Sequence, residues 1–283
     1  MREIELKAPA KINLFLELLG PRGDGFTEIR SLVQTVSLYD IVRIELTDGG
    51  LRLSSNNSEL PLGAGNTAAR AWGVFCQATG GEMGARIHLE KNIPVGSGLG
   101  GGSSDAAAVL VGLARLKGLE LDRETLTTLG SAVGSDVPLF FGSGCSIISG
   151  RGEVVEDVTI PRNYGALLVK PDYGMSTEEA YSAVRKGLTV PASKVNIQTL
   201  DFSGGVETFC TRGNDLERAL LALHPEAEEI EKRLISAGAL CASMSGSGSA
   251  FFGIFENLEA AEAAADDFGD MWSAAVEPVE IDF

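Results

Sequence analysis

A segment rich in glycine and serine, Pro94–Ser104, is the part of the sequence best suited to bind phosphate. A phosphate chain needs several backbone N–H donors at close range, and glycine lets the backbone approach because it has no Cβ atom. Apolar residues then recur at helical spacing from Ala106 to Leu116, so the loop leads into a helix whose first N–H groups and dipole attract anions. The segment predicts a phosphate-binding loop, with Ser103 or Ser104 as the helix N-cap and with hydroxyls that can contact phosphate or Mg²⁺.

Three other nucleotide-binding patterns fit the sequence less well. A Walker A loop requires Gly-Lys-Ser/Thr, and no lysine follows these glycines. Gly96–Gly101 matches a dinucleotide-binding fingerprint by letter, with Asp122 near the place of its ribose-binding acid, but Leu119–Leu121 is a poor buried strand. Asp267–Gly269 spells the metal motif of protein kinases, but no His-Arg-Asp loop precedes it. A tight packing turn is the plainest alternative, although so many glycines are costly to order unless a ligand approaches.

Three segments, in this order along the chain, resemble the GHMP kinase superfamily of galactokinase, homoserine kinase, mevalonate kinase and phosphomevalonate kinase. They are Ala8–Leu14 (APAKINL), the loop Pro94–Ser104 and Ser243–Ala250 (SMSGSGSA). Within the superfamily, the chain is most similar to the kinases of the non-mevalonate isoprenoid pathway that act on 4-diphosphocytidyl-2-C-methyl-D-erythritol. The segments that carry this closer resemblance are Lys11–Leu16, Arg22–Phe26, Gly134–Phe140, Lys170–Pro171, Ser176–Thr177, Tyr181 and Asn214–Glu217.

The resemblance implies an enzyme that transfers the γ-phosphoryl group of ATP, with Mg²⁺, to a hydroxyl of the methylerythritol moiety. By the family pattern, Asp136 accepts the hydroxyl proton and Lys11 lies beside it. A cation there keeps the carboxylate ionised and offsets the charge of the transferring group. Read alone, Asp136 could be a turn cap before Pro138, and Lys11 could be a solvated lysine at a strand end.

The family pattern also implies which residues bind the two substrates. Those implied for the nucleotide are Asn66, Lys91, Pro94, Gly96, Gly98, Leu99, Gly100, Gly101, Gly102, Ser103 and Ser104, with Ser103 as the candidate Mg²⁺ ligand. Those implied for the acceptor substrate are Asn13, Phe26, Thr27, Asp136, Tyr181, Gly246 and Ser247. Asn66 could equally be a plain helix N-cap, and Ser245–Ser249 could be a simple turn between two strands.

The chain departs from the family pattern at Thr27, where the family has a histidine that contacts the cytosine edge. Phe26 can still stack on a pyrimidine, with Tyr181 on its opposite face, although ordinary core packing also explains both aromatic residues. Thr27 supports a second reading, a GHMP kinase for another alcohol such as homoserine or a mevalonate derivative. A non-catalytic nucleotide-binding relative and a dinucleotide-dependent oxidoreductase are the alternatives from other classes.

Bulk composition narrows the class of protein. A chain of 283 residues with 44% hydrophobic content is globular, and its net charge of −16 argues against nucleic acid or an anionic membrane as the main partner. Its longest apolar stretch is too short to span a bilayer, and its N-terminus lacks the features of a secretion signal. The four cysteines form no CxxC pair, so we expect reduced thiols in a cytoplasmic protein. We also expect a monomer or weak homodimer.

Strand-like and helix-like segments mix without regular alternation, which predicts an α+β fold of two lobes with mixed or antiparallel sheets and the active site in the cleft between them. The expected boundary gives an N-terminal ATP-binding domain (1–160) and a C-terminal substrate-side domain (161–283). Two short strands are expected within residues 3–18, then a loop over 20–25. Two more are expected at Val33–Leu38 and Ile41–Leu46, and a last strand near Val276–Ile281. Besides the helix after the glycine-rich loop, the predicted helices are Asn66–Ala78, Asp122–Val133, Thr177–Lys186, Leu216–Leu223, Glu226–Ser236 and Leu258–Phe268.

Overall fold

The computed structural model describes residues 2–81, 83–174, 177–185 and 205–283. Ser176 and Lys186, both part of the sequence predictions, lie outside the described residues. The described strands are β1 (Glu3–Pro21), β2 (Thr27–Thr47), β3 (Leu51–Ser55), β4 (Gly84–Glu90), β5 (Cys145–Gly150), β6 (Val154–Asp157), β7 (Gly165–Lys170), β8 (Cys241–Met244), β9 (Phe251–Phe255) and β10 (Trp272–Val276). The described helices are α1 (Thr67–Ala78), α2 (Gly101–Leu116), α3 (Arg123–Val133), α4 (Thr177–Arg185), α5 (Glu207–Cys210), α6 (Glu217–Leu223), α7 (Glu228–Ser236) and α8 (Leu258–Ala265).

The described strands form two sheets, one in each half of the chain. The first has the order β3-β4-β2-β5-β6, with β1 paired antiparallel along the length of β2, and its β3–β4 pair is parallel. The second has the order β10-β7-β9-β8 and is antiparallel throughout. The predicted α+β class with mixed and antiparallel sheets is confirmed.

The first two strands are much longer than the sequence predicted. The short strands expected within residues 3–18 and at Val33–Leu38 and Ile41–Leu46 are parts of the continuous strands β1 and β2. Register shifts interrupt the pairing at Pro9/Ala10, Asn13/Phe15 and Leu18/Gly20. Bulges of this kind change the alternation of apolar residues, so a reading based on period two splits one strand into several.

Helix α2 packs on β1 and β2 at the centre of the N-terminal half. Its residues Ala106, Val109 and Leu113 are fully buried. Gly112 allows this close approach, because a Cβ atom there would lie 2.6 Å from Ile44 Cδ1. The helix that begins at the glycine-rich loop is therefore fixed against the sheet that carries Lys11.

Two expectations are wrong in the C-terminal half. Cys210 at the end of α5 and Cys241 at the start of β8 form a disulfide with a Cα–Cα distance of 6.1 Å, whereas Cys76 and Cys145 are free and buried, as expected. The last strand is Trp272–Val276 instead of Val276–Ile281. Beyond it, the Val279 N–H donates to the carbonyl of Thr35, so the chain leaves its own sheet and bonds to β2. No helix within the described residues is long and apolar enough to cross a membrane.

Candidate active site

The two glycine-serine loops meet face to face. Gly98 has φ +78°, and a Cβ atom on it would lie 2.1 Å from the carbonyl oxygen of Ser245. The hydroxyl of Ser245 donates to the carbonyl of Gly98 at 3.2 Å, and the N–H of Ala250 donates to the carbonyl of Ser97 at 3.0 Å. Glycine is required at position 98 both for its left-handed backbone and for this contact. The loops thus form one continuous wall.

Lys11 lies on β1 directly against this wall, and only 5% of its surface is exposed. Its Nζ is 2.5 Å from Asn13 Oδ1 and 2.5 Å from the carbonyl oxygen of Gly98. Its backbone N–H donates to the carbonyl of Leu99 at 2.9 Å. Burial lowers the pKa of Lys11 to about 8, and the charge of Asp136 partly opposes that shift. Lys11 is therefore not a solvated strand-end lysine but a buried cation held against the glycine-rich loop.

Asp136 lies in the turn between α3 and a short 3₁₀ helix that begins at Pro138. Its Oδ1 is close to the backbone of Gly152, where a Cβ atom would be 3.0 Å away. Its carboxylate acts electrostatically on Lys11 and, together with burial as the larger cause, raises the pKa of Tyr181. A carboxylate and a buried ammonium group thus face the same space, which is the arrangement needed to take a proton from a hydroxyl and stabilise a phosphoryl group.

Asn214 braces the second loop from behind. Its Nδ2 donates to the carbonyls of Met244 at 2.8 Å and Gly246 at 2.7 Å. The carboxylate of Glu217 accepts from the backbone N–H of Met244 at 3.1 Å. The resemblance assigns no role to the Asn214–Glu217 segment, and these hydrogen bonds give it a supporting one.

The helix after the glycine-rich loop begins earlier than predicted. Its N-cap is Gly100, in the left-handed conformation at φ 77° and without a side-chain hydrogen bond, so the prediction of Ser103 or Ser104 as N-cap is wrong. Helical structure already starts at Gly101, which places both serines inside the first turn. Ser103 lines the cavity, whereas Ser104 is fully buried outside its lining, and its hydroxyl has no hydrogen-bond partner among the described residues.

Lys91 lines the cavity, but its ammonium group is buried in an ion triad. Nζ pairs with Asp40 and lies 2.6 Å from Asp105 Oδ2. Burial by itself would lower the pKa of Lys91, but the two carboxylates outweigh that effect and raise it. Asp40 Oδ1 also accepts the N–H groups of Asn92 at 2.7 Å and Ile93 at 2.8 Å. Asp40, paired with Lys91, therefore holds the chain that enters the glycine-rich loop.

Asn66 has the N-cap role that the sequence allowed. Its Oδ1 accepts the N–H of Ala68 at 2.8 Å, and its Nδ2 donates to the carbonyl of Pro61 at 2.9 Å. Asn66 also lines the cavity, so a contact with the adenine stays a prediction.

These residues surround one cavity of about 1020 Å³. The lining includes almost every residue predicted from the sequence, Ser104 being outside it: Lys11, Asn13, Phe26, Thr27, Asn66, Lys91, Pro94, Gly96, Gly98, Leu99, Gly100, Gly101, Gly102, Ser103, Asp136, Tyr181, Gly246 and Ser247. The lining also contains Arg70 and Arg151, which the sequence reading did not select. Strands of the first sheet contribute to this space, and the C-terminal half contributes through α4 and through the loop between β8 and β9.

Known proteins resemble this chain in sequence and in fold. The family described as GHMP kinases N terminal domain matches residues 66–144, and that described as GHMP kinases C terminal matches residues 205–274. A 4-diphosphocytidyl-2-C-methyl-D-erythritol kinase of Thermodesulfovibrio yellowstonii is 38% identical over 278 residues, covering 96% of both chains. A crystal structure of 4-(cytidine 5'-diphospho)-2C-methyl-D-erythritol kinase matches with a TM-score of 0.82 at 34% identity, over 98% of this chain and 99% of that one. Homoserine kinase from Cytophaga hutchinsonii shares the fold, with a TM-score of 0.74 at 21% identity over 99% of this chain and 96% of its own.

Proposed function

Since this chain belongs to the GHMP kinases and, within them, to the 4-diphosphocytidyl-2-C-methyl-D-erythritol kinases, we propose that it phosphorylates a hydroxyl of that cytidine-diphosphate-linked polyol with ATP. This reaction belongs to isoprenoid precursor synthesis by the non-mevalonate route. The proposal gives Asp136 the role of base and Lys11 the role of the neighbouring cation.

The observation that carries the proposal is the meeting of Lys11, Asp136 and both glycine-serine loops in one cavity. Phosphoryl transfer needs little covalent chemistry from the protein and depends on position and charge. Backbone N–H groups of the first turn of α2 hold the ATP phosphates at the positive end of that helix. Lys11 meets the charge of the transferring group, and Asp136 receives the proton of the attacking hydroxyl.

Mg²⁺ fits this proposal because the first turn of α2 offers oxygen donors. The hydroxyl of Ser103 lines the cavity, and Asp105 Oδ1, buried at the start of the next turn, has no hydrogen-bond partner among the described residues. Oxygen atoms are the donors that Mg²⁺ prefers. Ser103 would hold the ion at the ATP phosphates, where its charge stabilises the developing negative charge.

Recognition of the cytidine would rest on Phe26 and Tyr181. Phe26 is 52% exposed, an unusual state for a phenylalanine, and it faces the same cavity as Tyr181 on α4. A half-exposed ring beside a cavity is suited to stack on a pyrimidine, so its exposure argues against ordinary core packing. Thr27 adds one hydroxyl and is too short to replace an imidazole.

The test is the release of ADP with a panel of alcohols, with and without Mg²⁺. We expect turnover with the cytidylyl substrate, dependent on Mg²⁺, and none with homoserine or mevalonate. Thr27 and the shared fold keep the homoserine or mevalonate type as the second candidate. Activity confined to homoserine or mevalonate would establish that candidate and disprove the proposed substrate.

A further inference from the structure

Arg151 is a cation of the cavity that neither the sequence motifs nor the roles assigned above include. It follows β5, and its guanidinium lies over the ring of Phe26, with Cζ 4.7 Å from the ring centroid. Its side chain is 41% exposed and lines the cavity. A guanidinium in this position orders an aromatic ring by a cation–π contact while its edge stays available to a ligand.

Arg151 is also close to the proposed base. The next residue, Gly152, approaches Asp136 so closely that a Cβ atom on it would lie 3.0 Å from Asp136 Oδ1. The guanidinium therefore belongs to the chain segment that joins the surroundings of Asp136 to the ring of Phe26. Asp136, Arg151 and Phe26 all line the same cavity, so one ligand can contact all three.

The other cations of the described cavity lining already have close protein partners. Lys11 contacts Asn13 and Gly98, Lys91 contacts two carboxylates, and Arg70 donates to the carbonyl of Val133. For Arg151, the nearest carboxylate is that of Glu153, at 3.8 Å from Nε, and Glu153 instead accepts the backbone N–H of Arg151 at 2.5 Å. Its guanidinium donates no hydrogen bond to the described residues, so its donors can serve a ligand.

We propose that Arg151 binds the diphosphate of the acceptor substrate and thereby sets the distance between Asp136 and the reacting hydroxyl. This inference rests on the proposed function. In the cytidine-diphosphate-linked polyol, the diphosphate separates the cytosine from the polyol, and the segment that carries Arg151 contacts both Phe26 and, through Gly152, Asp136. Guanidinium pairs with phosphate oxygens in a bidentate manner, and a local cation is needed because the whole chain carries a charge of −16.

The experiment compares the binding of cytidine, CMP and CDP by calorimetry, in wild type, Arg151→Gln and Arg22→Gln. Arg22 is the matched control, because it is a second arginine at the Phe26 turn but pairs with Glu28 at 2.5 Å and lies outside the cavity lining. We expect wild type and Arg22→Gln to bind CDP about tenfold or more tightly than cytidine, the range of charge-assisted hydrogen bonds. Arg151→Gln should lose this gain and keep its affinity for cytidine within about threefold.

The outcomes separate this inference from the proposed function. An equal loss of affinity for cytidine and CDP in Arg151→Gln would overturn it, since Arg151 would then act only by supporting Phe26. Unchanged binding of CDP would overturn it as well. Wild-type protein that binds neither CDP nor cytidine would overturn the proposed substrate itself. Arg151→Lys retains the charge without the bidentate geometry, so it should bind CDP with intermediate affinity. Circular dichroism spectra close to that of wild type would show that each variant is folded.

Discussion

The buried ammonium group of Lys11 predicts an alkaline limit to activity. Its pKa is lowered to about 8, mainly by burial. At pH 7 about nine in ten Lys11 side chains carry their charge, and at pH 9 about one in ten do. If the charged form is required, kcat/KM should fall roughly tenfold between these pH values, because kcat/KM reports the groups of the free enzyme. The substrates do not cause this fall, since phosphate groups finish ionising at a pKa of about 6.

The assay is initial-rate kinetics over pH 6.5–9.5, with Lys7→Met as the control variant. Lys7 lies on the same strand but is exposed, with its Nζ 5.5 Å from the ring of Tyr39, so its replacement should leave the profile unchanged. The profile of kcat should fall at a higher pH than that of kcat/KM, because a bound phosphate raises the pKa of Lys11. A flat kcat/KM profile up to pH 9.5 would refute the reasoning.

The same titration predicts a change in stability. Because the pKa of Lys11 is lower in the folded protein than its ordinary value of 10.5, the unfolded chain binds more protons between pH 8 and pH 10.5. The free energy of unfolding contributed by this group therefore rises with pH in that window, by about 3 kcal/mol in total. In urea denaturation, the free energy of unfolding should therefore change between pH 7.5 and pH 10.5 by about 3 kcal/mol more favourably in wild type than in Lys11→Met, because groups such as Cys145, whose pKa is raised by burial, titrate in both proteins.

Three further predictions concern the supports of the site. Gly98→Ala should destabilise the protein by at least about 2 kcal/mol more than Gly96→Ala. Both glycines have positive φ, but of the two only position 98 lacks room for a Cβ atom. Equal urea midpoints for the two variants would contradict the packing of the two loops. Lys91→Met leaves two buried carboxylates without their cation, so it should lower the free energy of unfolding by about 3–5 kcal/mol and raise the KM for ATP. A decrease below about 1 kcal/mol would show that the triad does not stabilise the fold. Reduction of the Cys210–Cys241 disulfide, which closes a separation of 31 residues, should lower the free energy of unfolding by about 3 to 4 kcal/mol; an unchanged urea midpoint in dithiothreitol would contradict this.

Local patterns predicted the helices well, and the residues selected for the site, apart from Ser104, lie around one cavity. The caps of α1 and α3 are Asn66 and Asp122, at the positions where the sequence placed the starts of those helices. The family resemblance also predicted that Lys11 lies beside Asp136, and both residues line the same cavity. The close contact of Gly98 with the second loop could not be predicted from motifs, because it joins residues that are far apart in the chain.

Interactions between residues far apart in the chain escaped the sequence reading. Lys91 was expected at the adenine, but its partners Asp40 and Asp105 come from β2 and α2, and no local pattern shows that both reach it. The disulfide joins α5 to β8 in the same way. Arg151 lies outside every motif, and its contact with Phe26 depends on the turn after β5.

The most direct measurement is single-turnover transfer of the ATP γ-phosphoryl group to the cytidylyl substrate, compared between wild type and Asp136→Asn. We expect the variant to bind nucleotide with unchanged affinity and to transfer about 10²- to 10⁴-fold more slowly, the usual contribution of a general base. Full transfer activity in Asp136→Asn would contradict the assignment of Asp136 as the base and, with it, the account of this cavity as a phosphoryl-transfer site.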